Sequence, residues 1–155
     1  MLIQTPATHC LDQSGIPYRL FEHSHAPTSL EDAARQRGQV PGQVIRSILF
    51  RFNGTTFFLV LMAGPGQISW RKLRLHLGQS RISMASEEEV LAVTGYAVGT
   101  VSPLGLPIAL RCLADVSVFQ PEEISIGSGM RGAAILMKSA DLRRVLGAVE
   151  VGDFA

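Results

Sequence analysis

The clearest alternation of hydrophobic and polar residues lies in the middle of the chain. Residues 45–52 and 55–62 are rich in branched and aromatic side chains, and Asn53-Gly54 stands between the two runs. An Asn-Gly pair favours a type I′ turn, because both central residues of that turn take a positive φ. The sequence therefore predicts a β-hairpin of Ile45–Phe52 and Thr55–Met62.

Helices are predicted where a polar capping residue precedes apolar residues and a glycine follows. Thr28-Ser29-Leu30-Glu31 and Ser86-Glu87-Glu88-Glu89 both show the capping-box pattern, in which the first and fourth residues exchange hydrogen bonds. We expect the two helices that they open to end at Gly38 and Gly95. Three more helices are expected over residues 7–14, 69–77 and 139–146.

The remaining strand-like runs are short, and helices occur singly between them. We expect these strands at residues 18–21, 81–83, 108–112, 116–118, 124–126 and 133–137. This order indicates an α+β fold rather than a repeated βαβ winding. Because one core usually serves roughly 100–200 residues, we expect one domain over residues 1–155. Its mixed or antiparallel sheet is expected to curl like a barrel, with the helices around it.

Composition excludes several classes of protein. Of the 155 residues, 46% are hydrophobic, which is too many for an intrinsically disordered chain. The net charge of +1 excludes a protein that coats long nucleic acids, although a protein that binds only a nucleic-acid end is still allowed.

No apolar run approaches the roughly 20 residues of a membrane span. The segment Met1–Pro6 lacks the features of a secretory signal, and Cys10 and Cys112 are expected to be reduced thiols in a cytoplasmic protein.

The first candidate for chemistry is Arg46 in the predicted hairpin. Because side chains alternate along a strand, Arg46 falls on the same face as Ile48, Phe50 and Phe52. A cation at the end of an apolar face has two explanations that its position alone does not separate. Either the strand begins later and Arg46 is solvated, or Arg46 binds an anion at the mouth of a pocket.

Two glycine-containing loops are further candidates. The first is Gly99-Thr100-Val101-Ser102-Pro103-Leu104-Gly105, and the second is Gly127-Ser128-Gly129. Glycine lets a ligand approach the main chain closely, and successive amides can form an anion-binding nest. Each loop taken alone is equally explained as an ordinary turn.

Histidine pairs and basic patches provide weaker candidates. His23 and His25 lie on the same side of an extended segment, but no third ligand is indicated, so we expect no metal or other cofactor. Arg71 and Arg74 lie beside the apolar stripe of the helix at residues 69–77. The two arginines either form part of a solvated helix face or contact the phosphates of a nucleic acid locally.

The order of these segments resembles the YbaK/prolyl-tRNA synthetase-associated domain family, the aminoacyl-tRNA deacylases. The resemblance covers roughly Tyr18 to Leu146, and its most specific part is the Gly…Ser-Pro-Leu-Gly loop. The segments that carry the resemblance are the helix after His25-Ala26-Pro27-Thr28, the strand in Gln43–Leu49, the segment Thr94–Gly105, the element Ile124–Gly129 and the segment Lys138–Leu142.

The resemblance implies a compact α+β domain on a curled mixed sheet, and an enzyme that acts in trans-editing. Such an enzyme hydrolyses the ester between a wrong, small amino acid and the 3′ end of a tRNA, with Cys- or Ala-tRNA(Pro) as candidates. The implied partner is the tRNA acceptor end, and an aminoacyl-tRNA synthetase is left open as a second partner. The chain resembles the free-standing members of the family. The implied catalytic residues are Arg46, Gly99 and Ser102. The implied substrate-binding residues are Tyr18, Thr28, Pro103, Gly105, Gly127, Ser128, Gly129 and Asp141.

Family members carry a lysine at the position of Arg46. Arginine can hold an anion bidentately, but it keeps its proton in proteins, so Arg46 is excluded as a general base. The resemblance then suggests that Arg46 holds the terminal adenosine, while backbone amides around Gly99–Ser102 and Gly127–Gly129 stabilise the oxyanion. The alternative is a homologue with weak or no activity that binds the acceptor end or a small ligand without hydrolysis.

Overall fold

The computed structural model of the chain describes residues 4–155, so the first three residues of the segment Met1–Pro6 lie outside the described range. The described helices are α1 (Pro6–Gln13), α2 (Leu30–Gln36), α3 (Trp70–Leu77), α4 (Glu87–Thr94) and α5 (Ser139–Leu146). The described strands are β1 (Arg19–Glu22), β2 (Ile45–Phe52), β3 (Thr56–Ala63), β4 (Ile82–Met84), β5 (Arg111–Asp115), β6 (Glu123–Gly127), β7 (Ala133–Lys138) and β8 (Glu150–Gly152). Short 3₁₀ turns cover Pro41–Gln43 and Val116–Phe119.

The strands form two sheets rather than one. A mixed five-stranded sheet has the order β4-β2-β3-β5-β8, and an antiparallel three-stranded sheet has the order β1-β7-β6. A single parallel bridge between Val44 and Ser125 joins their edges. The α+β class is confirmed, whereas the expected barrel-like sheet is wrong. The reason is that no ladder between β2 and β6 continues beyond this bridge within the described residues, so the two sheets do not close into a barrel.

Hydrophobic residues form two clusters on opposite faces of β2. The first cluster joins the facing sides of the two sheets, with Ile45 and Leu49 from β2 and Ile126 from β6. The second lies under α3, where Phe50 stacks on Phe58 with ring centroids 5.6 Å apart. Because β2 contributes alternate residues to both clusters, its register is strongly fixed.

The predicted hairpin is confirmed. Strand β2 has the predicted bounds, β3 begins one residue later than expected, and Asn53 and Gly54 both have positive φ values, of 53° and 73°. The capping box of α4 is also confirmed. The Glu89 N–H donates to Ser86 Oγ over 3.2 Å, and the Ser86 N–H donates to Glu89 Oε1 over 2.9 Å.

The capping box predicted at Thr28 is wrong by one residue. The cap of α2 is Ser29, whose Oγ accepts the Asp32 N–H at 2.9 Å. The Thr28 N–H instead donates to the Asp32 carboxylate, also at 2.9 Å. Asp32 takes the reciprocal place that the sequence pattern had assigned to Glu31, because a carboxylate four residues after Thr28 reaches back to its amide.

The strand predicted at residues 116–118 is also wrong, since a 3₁₀ turn occupies Val116–Phe119. Asp115 caps this turn, because its Oδ2 accepts the Ser117 N–H at 3.1 Å. The strand expected at residues 108–112 lies at Arg111–Asp115, where it pairs with β3 in parallel. Strand β8, which extends the sheet beyond β5, was not predicted from the sequence.

Glu150 on β8 provides a prediction about pH. Its carboxylate accepts hydrogen bonds from Arg111 Nε at 2.7 Å and Nη2 at 2.9 Å, and it lies 3.0 Å from His76 Nε2. These contacts, that from Arg111 above all, lower the pKa of Glu150 from 4.5 to about 2. Since the native pKa lies below the ordinary value, the stabilisation is complete above pH 4.5 and is lost as the pH falls from 4.5 towards 2.

We therefore expect Glu150→Gln to lower the free energy of unfolding at pH 7 and to weaken its dependence on pH below 4.5. Urea unfolding at a series of pH values measures both effects. Parallel stability curves for the two proteins would show that the contact between Glu150 and Arg111 does not contribute.

Candidate functional site

A cavity of about 490 Å³ opens where β2 and β6 separate. Its walls are mostly apolar and come from both sheets, from α4 and from the loop after α4. They include Val44, Ile48, Leu49, Val90, Val101 and Ile126. A concave, apolar cavity of this size with a few polar groups is typical of a small-molecule site.

One wall of the cavity is an unpaired strand edge. On its inner side β2 pairs with β3 along its whole length. On its outer side, Val44 bridges to Ser125 and Phe50 pairs with Met84, and the described residues place no strand between these two points. Ser47 lies in this gap, and its buried hydroxyl has no hydrogen-bond partner in the described part of the chain. The edge therefore offers backbone and hydroxyl groups to a ligand.

Arg46 lines the cavity at the rim of this edge. Its Nε donates to the Gly64 carbonyl at 2.8 Å, and its Nη2 donates to the Gly66 carbonyl. Burial lowers the pKa of the guanidinium from its ordinary value. Arg46 is thus half-buried rather than solvated, and its other N–H groups are available to an anion.

The loop after α4 forms the opposite wall, through Gly99 and Val101. The Thr100 N–H and hydroxyl both donate to the Ala97 carbonyl, at 3.0 and 2.8 Å. Within residues 4–155, no acceptor is paired with the N–H of Gly99 or of Val101. Two amide donors of the cavity wall are therefore available for a ligand oxygen.

Behind this wall, buried hydrogen bonds hold the loop in place. The Tyr96 hydroxyl donates to the Leu104 carbonyl at 2.6 Å, and burial raises the pKa of Tyr96 to about 12, so it stays a donor. Ser102 is fully buried, and its Oγ accepts the Leu104 N–H at 3.2 Å. Pro103 is buried, and Gly105 packs against the start of α1, where an added Cβ would lie 2.3 Å from the Pro6 backbone. These three predicted site residues support the loop and do not line the cavity.

The second glycine loop packs against the first. Gly127 lines the cavity, and the Gly129 N–H donates to the Thr100 carbonyl at 2.9 Å. The Ser128 hydroxyl donates to the Ala133 carbonyl at 2.8 Å. Most polar groups of this loop are therefore engaged within the protein, where they hold Thr100 and its neighbours in position.

Three predicted substrate-binding residues lie outside the cavity lining. The Tyr18 hydroxyl donates to Asp12 at 3.0 Å, and Thr28 is exposed at the start of α2. Asp141 pairs with Arg144 at 3.1 Å within α5. The structure thus brings Arg46, Gly99 and Gly127 together and leaves these three apart, so their role in binding stays a prediction.

Arg37 also lines the cavity, although no motif in the sequence indicated it. Its Nε donates to His23 Nε2 at 3.1 Å, and its Nη1 donates to Ser125 Oγ at 2.9 Å. Burial lowers its pKa from the ordinary value of a guanidinium. The available signal was helical spacing, because Arg37 follows the buried Ala33 by four residues and so falls on the inner face of α2.

The histidine pair does not form a metal site in the structure. His23 Nδ1 lies 2.8 Å from Gln36 Oε1, and its other ring nitrogen accepts from Arg37. No group of three His, Cys, Asp or Glu residues within residues 4–155 is arranged to hold a metal ion. No helix in the same range is both long and apolar enough to span a membrane.

Arg71 and Arg74 border a shallow groove on α3, which shares no lining residue with the cavity. Neither side chain lies within 4 Å of a carboxylate in the described part of the chain. The two explanations of this patch, a solvated helix face and a phosphate contact, both fit this geometry.

Comparisons with known proteins agree on one family. Residues 23–145 match the model of the aminoacyl-tRNA editing domain. The chain is 29% identical over 139 residues to the multifunctional Ser/Thr-tRNA deacylase ProXp-y of Escherichia coli (strain K12), across 87% of this chain and 83% of that protein. It is 31% identical over 102 residues to the proline–tRNA ligase of Citrifermentans bemidjiense, across 64% of this chain and 18% of the ligase.

The fold also matches a solved structure. The crystal structure of a candidate trans-editing enzyme for prolyl tRNA synthetase superposes with a TM-score of 0.87. The match covers 99% of this chain and 98% of the other, at 23% sequence identity. This likeness shows a shared fold.

Proposed function

Because the chain belongs to the aminoacyl-tRNA editing domain family, whose model matches residues 23–145, we propose that it hydrolyses the ester of a mischarged aminoacyl-tRNA. The observation that carries this proposal is that the amides of Gly99 and Val101, in the wall of a cavity of about 490 Å³, have no acceptor among the described residues. Fixed amide donors of this kind stabilise the oxyanion that develops when an ester is attacked.

The proposed reaction needs no nucleophilic side chain, because an aminoacyl ester is already reactive. Water adds to the ester carbonyl, and the oxyanion accepts hydrogen bonds from the Gly99 and Val101 amides. The bond from the carbonyl carbon to the ribose oxygen then breaks, and the ribose oxygen takes up a proton from the attacking water. Arg46 keeps its own proton and serves as a cation that holds the nucleotide end. Correct placement of the ester and the water supplies the rate enhancement.

For the substrate, we propose a small amino acid. Apolar residues confine the cavity, and such a pocket rejects side chains that are too large better than side chains that are too small. The sequence resemblance suggests Cys- and Ala-tRNA(Pro) as substrates. The relative ProXp-y is named as a Ser/Thr-tRNA deacylase, so seryl- and threonyl-tRNAs belong in the same test.

A deacylation panel tests this function. The protein is incubated with tRNAs that are mischarged with alanine, cysteine, serine or threonine. The same tRNAs charged with their correct amino acids serve as controls. We expect release of at least one small amino acid above the background rate, with the correctly charged tRNA spared.

No release above background from any of these substrates would contradict the proposed hydrolysis. The alternative, a homologue that binds without hydrolysis, is motivated by Arg46 at the position of the family lysine. Acceptor-end binding without turnover, even in Arg46→Lys, would establish that alternative.

A further inference from the structure

The cavity carries opposite charges at its two ends. One end lies where Val44 bridges Ser125, and Arg37 and Arg46 both line the cavity there. Its other end lies where Leu49 accepts the Ala85 N–H at 3.0 Å, and Glu87 lines the cavity just beyond this point. A ligand that enters the cavity therefore meets cations at one end and a carboxylate at the other.

Arg37 carries a charge that no carboxylate of the described residues neutralises. Its two described acceptors, His23 Nε2 and Ser125 Oγ, are neutral groups. No carboxylate of residues 4–155 lies within 4 Å of its guanidinium. A half-buried cation with no counter-ion attracts an anion, and a planar guanidinium suits phosphate oxygens in particular.

Glu87 is likewise a charged residue of the cavity lining for which the described residues provide no counter-ion, unlike its neighbours on α4. Glu89 pairs with Arg51 at 2.7 Å, and Glu88, which is exposed as Glu87 is, does not line the cavity. Glu87 lines the cavity and pairs with no cation in the described range. Its carboxylate is thus available for a positively charged group of the ligand.

We propose that these charges set the direction in which an aminoacyl nucleotide end lies in the cavity. Arg37 binds the phosphate diester next to the terminal nucleoside, and Glu87 binds the α-ammonium of the aminoacyl group. The ester then lies between the two ends, beside the amides of Gly99 and Val101. This assignment rests on the proposed function, since it takes the aminoacyl end of a tRNA as the ligand.

Binding measurements that require no hydrolysis test the assignment. The probes are a fluorescent RNA hairpin with a single-stranded CCA end, the same hairpin with alanine attached through a 3′-amide, and the N-acetylated form of that conjugate. Kd is measured for each probe at several salt concentrations. The control variants are Arg35→Ala, which removes an exposed arginine in the last turn of α2, two residues before Arg37, and Glu88→Gln beside Glu87.

For Arg37→Ala, we expect all three probes to bind about tenfold or more weakly. The plot of the logarithm of the association constant against the logarithm of the salt concentration should become less steep by about 0.7. This change corresponds to one lost phosphate contact on a single strand. Arg37→Lys should restore the slope, because it restores the charge. A thermal melt of each variant shows whether the fold is kept. Equal Kd values and slopes in Arg37→Ala and Arg35→Ala would overturn the role of Arg37.

For Glu87→Gln, we expect a loss of about fivefold or more with the alanyl conjugate only. The uncharged hairpin and the N-acetylated conjugate lack the ammonium, so the variant and the unmodified protein should bind them equally. An equal loss with all three probes, or no loss with any, would overturn the role of Glu87.

These outcomes are separable from a failure of the proposed function. If no substrate is hydrolysed but binding follows the expected pattern, the hydrolysis proposal fails and the orientation stands. If hydrolysis occurs and the Arg37 and Glu87 variants bind like their controls, the orientation alone fails.

Discussion

Gly127→Ala is expected to destabilise the protein by about 3 kcal/mol and to abolish most of the proposed deacylation. A Cβ at this position would lie 2.0 Å from the Val101 carbonyl oxygen and 2.7 Å from its carbonyl carbon. Both atoms belong to the backbone, so no side-chain rotation relieves the overlap. Either β6 or the loop after α4 must shift, and that shift displaces the Val101 amide that we assign to the oxyanion.

Gly42→Ala is the matched control for this substitution. An added Cβ there meets nothing within 4 Å, and neither glycine has the positive φ that strains other residues. Urea unfolding measures the stability of both variants, and the deacylation panel measures their activity. If Gly127→Ala proved as stable and as active as Gly42→Ala, the close contact between the two loops would not be required.

Arg46→Ala is expected to lower kcat/KM for deacylation by about tenfold to a hundredfold, the range for losing hydrogen bonds to a charged group. Two effects act together. The cavity loses a cation that we assign to the nucleotide end, and the carbonyls of Gly64 and Gly66 lose their donor. Arg46→Lys should keep more of the activity, because it keeps the charge that family members carry at this position.

Arg19→Ala serves as the control for Arg46, since Arg19 is exposed and pairs with Glu123 away from the cavity lining. Steady-state kinetics on the best substrate of the panel measures all three variants. Turnover in Arg46→Ala equal to that in Arg19→Ala would remove Arg46 from the site.

Local patterns predicted most of the elements. Asn53-Gly54 fixed the hairpin, because its φ values are set by these two residues and their neighbours. The Ser86 and Glu89 box fixed the start of α4 for the same reason. Where two local patterns competed, prediction was less accurate. At Thr28 and Ser29 the choice of cap depended on which carboxylate reached back, and at Val116–Phe119 the capping by Asp115 outweighed the β-propensity of valine.

The site was only partly predictable. Arg46 and Gly99 stood out by residue type and position, and the structure places both at the cavity. Arg37 and Glu87 were not distinguished by residue type, because a charged residue is ordinary where a helix ends, as at Arg37, or begins, as at Glu87. Their importance appears only when β6 and α4 bring them to opposite ends of one cavity.

The sequence by itself determined the helices, the central hairpin, the order of the glycine loops and the family that they resemble. These features depend on residues close together in the chain, whose preferences act locally. Only the tertiary structure decided that the described strands form two sheets and that none of them pairs with the outer edge of β2 between Val44 and Phe50. It also decided that Arg37 contacts Ser125, where the two sheets meet. Each of these depends on contacts across long sequence separations, such as the 88 residues between Arg37 and Ser125, which short-range patterns do not encode.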